Sequence, residues 1–230
     1  GRHEEARSIL TEAQNRNPFD PLVQVALGML EFELHDFKTA YHHFHLAGRF
    51  DPSSKRAQAG MVASLVNSAL LLYEEGDLDE AESRLLEAHS INPQAAVVLY
   101  NLSVLARERG DTGSATQYLE EALRLAPHNA EAFAELGTLH MQSGNAEAAH
   151  RAFERAVSLD TDEPFPYYYI ADRALARISS HSPQNGAGNA PTLSTIRSHL
   201  HSAIGNAIRK GDMIRMQAAE AVSGRDGSLA

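Results

Sequence analysis

Through the first 163 positions, apolar residues recur every three or four residues, the spacing of helices that bury one face. Leu78, Ala81, Leu85, Ala88 and Ile91 form one such face. Gly76 permits a tight turn before them, Asp77 can cap the helix, and Pro93 cannot continue it. The phrase then returns. Gly110-Asp111 leads to Ala115, Leu119, Ala122 and Pro127, and Gly144-Asn145 leads to Ala149, Phe153 and Ala156. By subtraction, Ala115 − Ala81 and Ala149 − Ala115 are both 34. Helix, turn, helix at a fixed period predicts an all-α solenoid of stacked repeats.

The same pattern divides the chain. Residues 1–20 read as the second half of a repeat, because Ala6, Leu10, Ala13 and Pro18 stand one period before Ala40, Phe44, Ala47 and Pro52. The expectation is a fragment of a longer protein, or a chain that starts with an unpaired helix. Complete repeats follow at 21–54, 62–95, 96–129 and 130–163. Small residues on the first helices (Gly28, Ala69, Ser103, Gly137) let two helices approach closely. In the turn of the first complete repeat, His35 stands where the others have Gly. Ala81 − Ala40 is 41, one period plus seven. Seven residues are close to two helical turns, so Lys55–Met61 can lengthen a helix ending near Glu75 without rotating its faces, the alternative being a short loop before a helix of ordinary length. After Asp162 the pattern decays. Pro164–Ser179 reads as another first helix, His181–Thr192 as a flexible loop, and Leu193–Val222 as a helix with a stripe of Ile196, Leu200, Ile204 and Ile208. Residues 164–230 are expected to form a degenerate repeat or a helical cap with that loop.

Composition narrows the function. The chain has 230 residues and no cysteine, so neither a disulfide framework nor a thiolate metal site is possible. That suits the cytoplasm and is compatible with a periplasm. No apolar run is long enough to span a membrane. Residues 1–163 hold 13 Lys and Arg against 26 Asp and Glu, a net −13, whereas residues 164–230 hold 7 against 4, a net +3. Phosphate contacts need a basic stripe, so an acidic solenoid excludes nucleic acid as the expected partner and favours basic or amphipathic proteins and peptides.

Small, large and turn residues agree across these repeats, and over about residues 1–163 the chain resembles the tetratricopeptide-repeat family. The resemblance implies a right-handed α-solenoid whose first helices line a concave groove and whose second helices form the outer surface. It implies an extended peptide or a partner helix in that groove, and no reaction and no cofactor. The groove residues it singles out are Val25, Met29, Asn67, Leu70, Tyr100, Asn101, Val104, Arg107, Glu135 and Thr138, with Glu131 beside them. In the family, Asn at the place of Asn67 and Asn101 often hydrogen-bonds the backbone of a bound peptide. An Asn amide suits that role, since it carries both donor and acceptor. Ala26 and Glu135 hold the equivalent places in the flanking repeats, so such a ladder is short. Members that clamp the carboxylate tail of chaperones use Lys, Asn and Arg. The matching positions here include Leu22, Val25, Met29, Val97 and Asn101, so the basic clamp is missing.

Other chemistry is thin. His42 and His45 are three apart and could share a metal on one helix face, but the sequence supplies no third ligand. His199 and His201 point to different faces. No phosphate loop, HExxH or GxSxG motif is present. The expected function is therefore a non-enzymatic scaffold or adaptor that holds a segment of a partner protein. Two rivals are an assembly subunit that self-associates through the N-terminal half repeat or the C-terminal cap, and a regulatory domain of a larger enzyme.

Overall fold

The computed structural model describes residues 2–159 and, beyond them, Pro166, Tyr169, Ile170 and Arg173. Among the described residues the secondary structure is entirely helical. The chain divides into two compact units, Gly1–Pro127 and His128–Ala230. The expectations for the loop at 181–192, for the helix at 193–222 and for most of 164–179 lie outside the described residues.

In the first unit, α1 (Arg2–Arg16) precedes three helical hairpins: α2 (Pro21–Glu33) with α3 (Phe37–Phe50), α4 (Lys55–Glu75) with α5 (Leu78–Ile91), and α6 (Ala96–Glu108) with α7 (Thr112–Leu125). The second unit contains the hairpin of α8 (Ala130–Gln142) and α9 (Ala146–Ser158). The local causes repeat with the sequence. Asp36, Asp77, Asp111 and Asn145 each accept from the backbone N–H three residues on, which satisfies a free donor at the start of a second helix. The Thr39 backbone N–H, above all, holds the Asp36 carboxyl below the usual carboxylate range. Hydrogen bonds from Ser114 do the same for Asp111. The residue ahead of each of these caps has positive φ, between 60° and 84°, and three of the four are glycine.

His35 is the fourth, at φ 60°. A left-handed backbone costs a non-glycine residue about 1–2 kcal/mol. His35 recovers part of this by setting its ring edge-on to Phe37, with centroids 5.8 Å apart. Glycine there is expected to raise stability by about 0.5–1 kcal/mol once the lost contact and the freer unfolded chain are subtracted. Urea unfolding of His35→Gly checks this, and a loss of stability would show that the ring contact outweighs the strain.

Each hairpin closes on the same triad of its second helix. Ala40, Phe44 and Ala47 are buried, as are Ala81, Leu85 and Ala88, then Ala115, Leu119 and Ala122, and, in the second unit, Ala149, Phe153 and Ala156. The small residues sit where helices cross and the large one fills the space between them. In the second unit, a Cβ at Gly137 would collide with the Phe153 ring. The Tyr169 ring also lies against Phe153, centroids 4.8 Å apart, and its hydroxyl donates to the Ala146 carbonyl at 3.2 Å. The matching triad of α1 is different. Ala6, Leu10 and Ala13 are only half-buried and α1, which packs beside α2, contains no buried residue. An ion pair joins α1 to α2: the Arg7 guanidinium reaches the nearly buried Glu31 carboxylate at 2.9 Å.

α4 has 21 residues against 13 in α2 and 13 in α6. Its start packs into the first hairpin, where Ala57 joins Val25, Ala40, Phe44 and Ala47. Its later turns carry Val62, Leu65, Val66 and Ala69 into a core with Ala81, Leu85, Ala88, Val98, Leu102 and Leu105. One continuous helix thus serves two cores in turn, and seven extra residues advance the second by about 10 Å along its axis.

Candidate functional site

On α6, Tyr100, Asn101, Val104 and Arg107 share one face at helical spacing and are all half-buried. On α4, Asn67 and Leu70 share a face in the same way, with Asn67 half-buried and Leu70 exposed. Met29 is exposed on α2. The second unit holds Glu135 and Thr138 half-buried on α8, where Thr138 donates back to the Ala134 carbonyl at 3.1 Å. Val25 does not belong with them. It is 6 % exposed and packs among Ala40, Phe44, Ala47 and Ala57, so it is a core residue rather than a groove wall. Helical phase does not separate the two, since residues four apart share a face; Val25 is covered by α3 and by Ala57 at the start of α4, whereas Met29 is left exposed.

Asn67 and Asn101 adopt the same pose one period apart. Asn67 Nδ2 donates to the Ala63 carbonyl at 2.9 Å, and Asn101 Nδ2 donates to the Val97 carbonyl at 2.7 Å. Each amide therefore spends one donor on its own helix, four residues back. The second N–H and the Oδ1 acceptor take no partner among the described residues, and one donor plus one acceptor is what an extended backbone requires.

A second feature was not visible in the sequence. Met29, Phe32 and Glu33 of α2, Phe44 of α3, and Ala59, Gly60 and Ala63 of α4 line an apolar cleft of about 300 Å³. The Phe44 ring forms its floor. A Cβ at Gly28 would lie 2.9 Å from that ring and one at Gly60 closer still, so both glycines are needed for α2 and α4 to approach α3. The one signal in the sequence is Gly60 inside a helical pattern, which often marks close packing.

The histidines of α3 are drawn into structure. His43 Nδ1 lies 2.8 Å from Oε1 of the buried Gln24, whose Nε2 donates to the Pro18 carbonyl. Burial, and secondarily His42, pushes the His43 pKa down. His45 stacks on Tyr41, ring centroids 6.0 Å apart. Among the described residues, no three His, Asp or Glu side chains come together to hold a metal. The Tyr41 hydroxyl donates to Glu87 of α5 at 2.6 Å, and burial followed by that carboxylate pushes its pKa up to about 12. Arg109, at the end of α6, pairs with Asp79 at 2.5 Å and with Glu82, both of α5. The Tyr41–Glu87 bond joins the second helices of successive hairpins, and the Arg109 pairs join the end of α6 to α5.

No described helix is long and apolar enough to cross a membrane. Helical hairpins that repeat one pattern of caps and buried triads define a repeat protein. Two family models, both described as tetratricopeptide repeat, match residues 60–128 and 106–178 and together span 60–178. The chain belongs to the tetratricopeptide-repeat family. No curated protein sequence matches it. Among solved structures it is similar to Pseudomonas aeruginosa PilF, with TM-score 0.52 and 20 % identity over 80 % of this chain and 86 % of that one. It is also similar to a double mutant of MamA from Desulfovibrio magneticus RS-1, with TM-score 0.50 and 19 % identity over 69 % and 85 % of the two chains. Another MamA structure gives TM-score 0.50 and 14 % identity over 81 % and 90 %. At these identities the likeness establishes the fold, an all-α repeat solenoid. Family and fold together support a protein–protein interaction scaffold.

Proposed function

We propose that the chain is a non-catalytic adaptor that holds a segment of another protein against the first-helix faces of its repeats. The observation that carries this is the matched pair Asn67 and Asn101, set one period apart with the same unused donor and acceptor. Leu70 and Val97 are exposed beside them, so the face combines backbone-reading amides with apolar contact. Partner character follows from charge. Residues 1–127 hold 11 Lys and Arg against 19 Asp and Glu, a net −8, which favours a basic or amphipathic segment.

The test is selection of binding peptides from a displayed random library, followed by calorimetry on the winners. Peptides rich in Lys or Arg with interspersed apolar residues are expected. Asn67→Ala with Asn101→Ala is expected to weaken them by roughly 1–3 kcal/mol in total, at about 0.5–1.5 kcal/mol per lost hydrogen bond. Circular dichroism should show unchanged helix content. Unchanged affinity in the double variant overturns the role of the asparagines. Failure to select any peptide counts against the adaptor reading itself.

A second reading has its own observation. The half-buried Ala6, Leu10 and Ala13 of α1 offer an apolar face on which a subunit of an assembly would stack. Concentration-dependent mass in sedimentation favours that reading, and a constant monomer mass contradicts it.

A further inference from the structure

We propose that the hollow between the end of α3, the start of α4 and the end of α5 is a second docking site, one that takes an acidic segment of a partner protein. It shares no residue with the faces that carry Asn67 and Asn101, so the inference goes beyond the reading above and does not depend on it. The hollow has a volume of about 320 Å³, at the low end for small-ligand sites. Two of its walls come from this chain's departure from its own repeat. Gln58 and Met61 lie in Lys55–Met61, the seven residues by which 41 exceeds 34, so a repeat of regular length has no counterpart to them. Gly48 of α3 faces them without a side chain, and Met61 Cε lies 3.6 Å from where its Cβ would stand. Met61 and Ile91 supply the apolar surface.

The polar side chains that line it are chiefly donors. Arg49 and His45 belong to the lining, and no Asp or Glu does. Arg49 has no partner among the described residues. The Ser54 oxygen accepts from the Ala57 N–H at 3.3 Å, which leaves its hydroxyl hydrogen to give. Gln58 Nε2 donates to the Ile91 carbonyl at 2.9 Å and keeps a second N–H. Asp51, the carboxylate nearest in sequence, is engaged by the Ser53 N–H and hydroxyl at 3.0 and 2.6 Å. Donors around a guanidinium suit a carboxylate, which Arg binds with two parallel bonds. Charge here runs against the rest of the unit. Residues 45–58 hold Arg49, Lys55 and Arg56 against Asp51, a net +2, within a unit of net −8. Charges are screened over about 8 Å at physiological ionic strength, so the local sign governs what docks. Lys55 and Arg56 carry the basic surface past the hollow, which favours an acidic stretch of chain over a single small anion. One apolar side chain of that stretch rests on Met61 and Ile91, and a neighbouring Glu or Asp reaches Arg49. The adaptor is then two-sided, with a basic partner on the first-helix faces and an acidic one here.

The experiment uses the whole chain with methionine methyl groups labelled by carbon-13. There are five methionines, and Met61→Leu assigns the signal at the hollow. The probes are a short peptide with one Leu flanked by Glu and its counterpart with Lys in place of Glu. The Met61 methyl is expected to shift saturably with the Leu/Glu peptide and not with the Leu/Lys peptide. Arg49→Ala, at an exposed position, is expected to weaken the Leu/Glu peptide about tenfold, the scale of one hydrogen bond to a charged group. Lys38→Ala is the control, because Lys38 is exposed on the same helix about 16 Å away, and it is expected to change nothing. Asn67→Ala with Asn101→Ala is also expected to leave this affinity unchanged. A Leu/Glu peptide that does not bind, or that saturates while the Met61 signal stays still, overturns the proposal. Equal losses in Arg49→Ala and Lys38→Ala overturn it too, since they would report diffuse attraction. Binding that falls with the asparagine pair and not with Arg49→Ala places the acidic peptide on the first-helix faces and overturns the second site. Failure of the library selection described above bears on the first-helix reading alone.

Discussion

Phe44→Ala is expected to destabilise the first unit by about 3–5 kcal/mol, the usual range for deleting a buried aromatic side chain. Phe44 is 4 % exposed and its ring is clasped by Gly28 from α2 and Gly60 from α4. Neither glycine has a side chain that could move into the void, so the cavity collapses poorly, and cost rises with residual cavity volume. The internal control is Leu10, which holds the same repeat position on α1 but is only half-buried. Leu10→Ala is expected to cost about 1 kcal/mol, in proportion to the smaller apolar area it removes from contact. Urea unfolding of both variants gives the comparison. Equal losses would mean that the α1 face is covered in solution.

Ala115→Leu is expected to cost about 1–3 kcal/mol by overpacking. Ala115 has no exposed surface, and it lies at the start of α7, where its N–H already bonds the Asp111 carbonyl. Leucine is nearly as good a helix former as alanine, so a loss cannot be assigned to propensity. It would report the crossing of α6 and α7 alone. A variant that melts no earlier than the parent would show that the repeat alanines are not the contact points of these hairpins.

The hairpins were legible because they rest on local rules. Asp36, Asp77, Asp111 and Asn145 cap helices whatever surrounds them, and the triads beginning at Ala40, Ala81, Ala115 and Ala149 advertise their burial by spacing. The continuity of α4 was one of two readings the sequence left open, because an insertion of two turns preserves helical phase but a short loop of the same length fits the pattern as well. Features that depend on several helices meeting were not legible. The cleft needs residues 29–33, 44 and 59–63 together, and nothing local in the sequence brings them into register. Val25 and Met29 look alike in the sequence, since four residues place them near one face, yet Val25 turns into the core and Met29 stands in solvent. Asn67 and Asn101 were recognisable as a pair, but their bonds to Ala63 and Val97 depend on rotamer and appear only in coordinates. The Tyr41–Glu87 bond joins positions 46 apart, a distance at which residue types alone pair nothing.

The central claim is that the basic or amphipathic partner engages the first helices and not the second. Leu70 on α4 and Leu86 on α5 make a matched test, because both are leucines of one hairpin with 41 % and 45 % of their surface exposed. A photo-crosslinking residue is placed at one position or the other, and each protein is irradiated with a peptide obtained by selection. The account predicts a covalent adduct from position 70 and none from position 86. An adduct from position 86 with none from position 70 would contradict it.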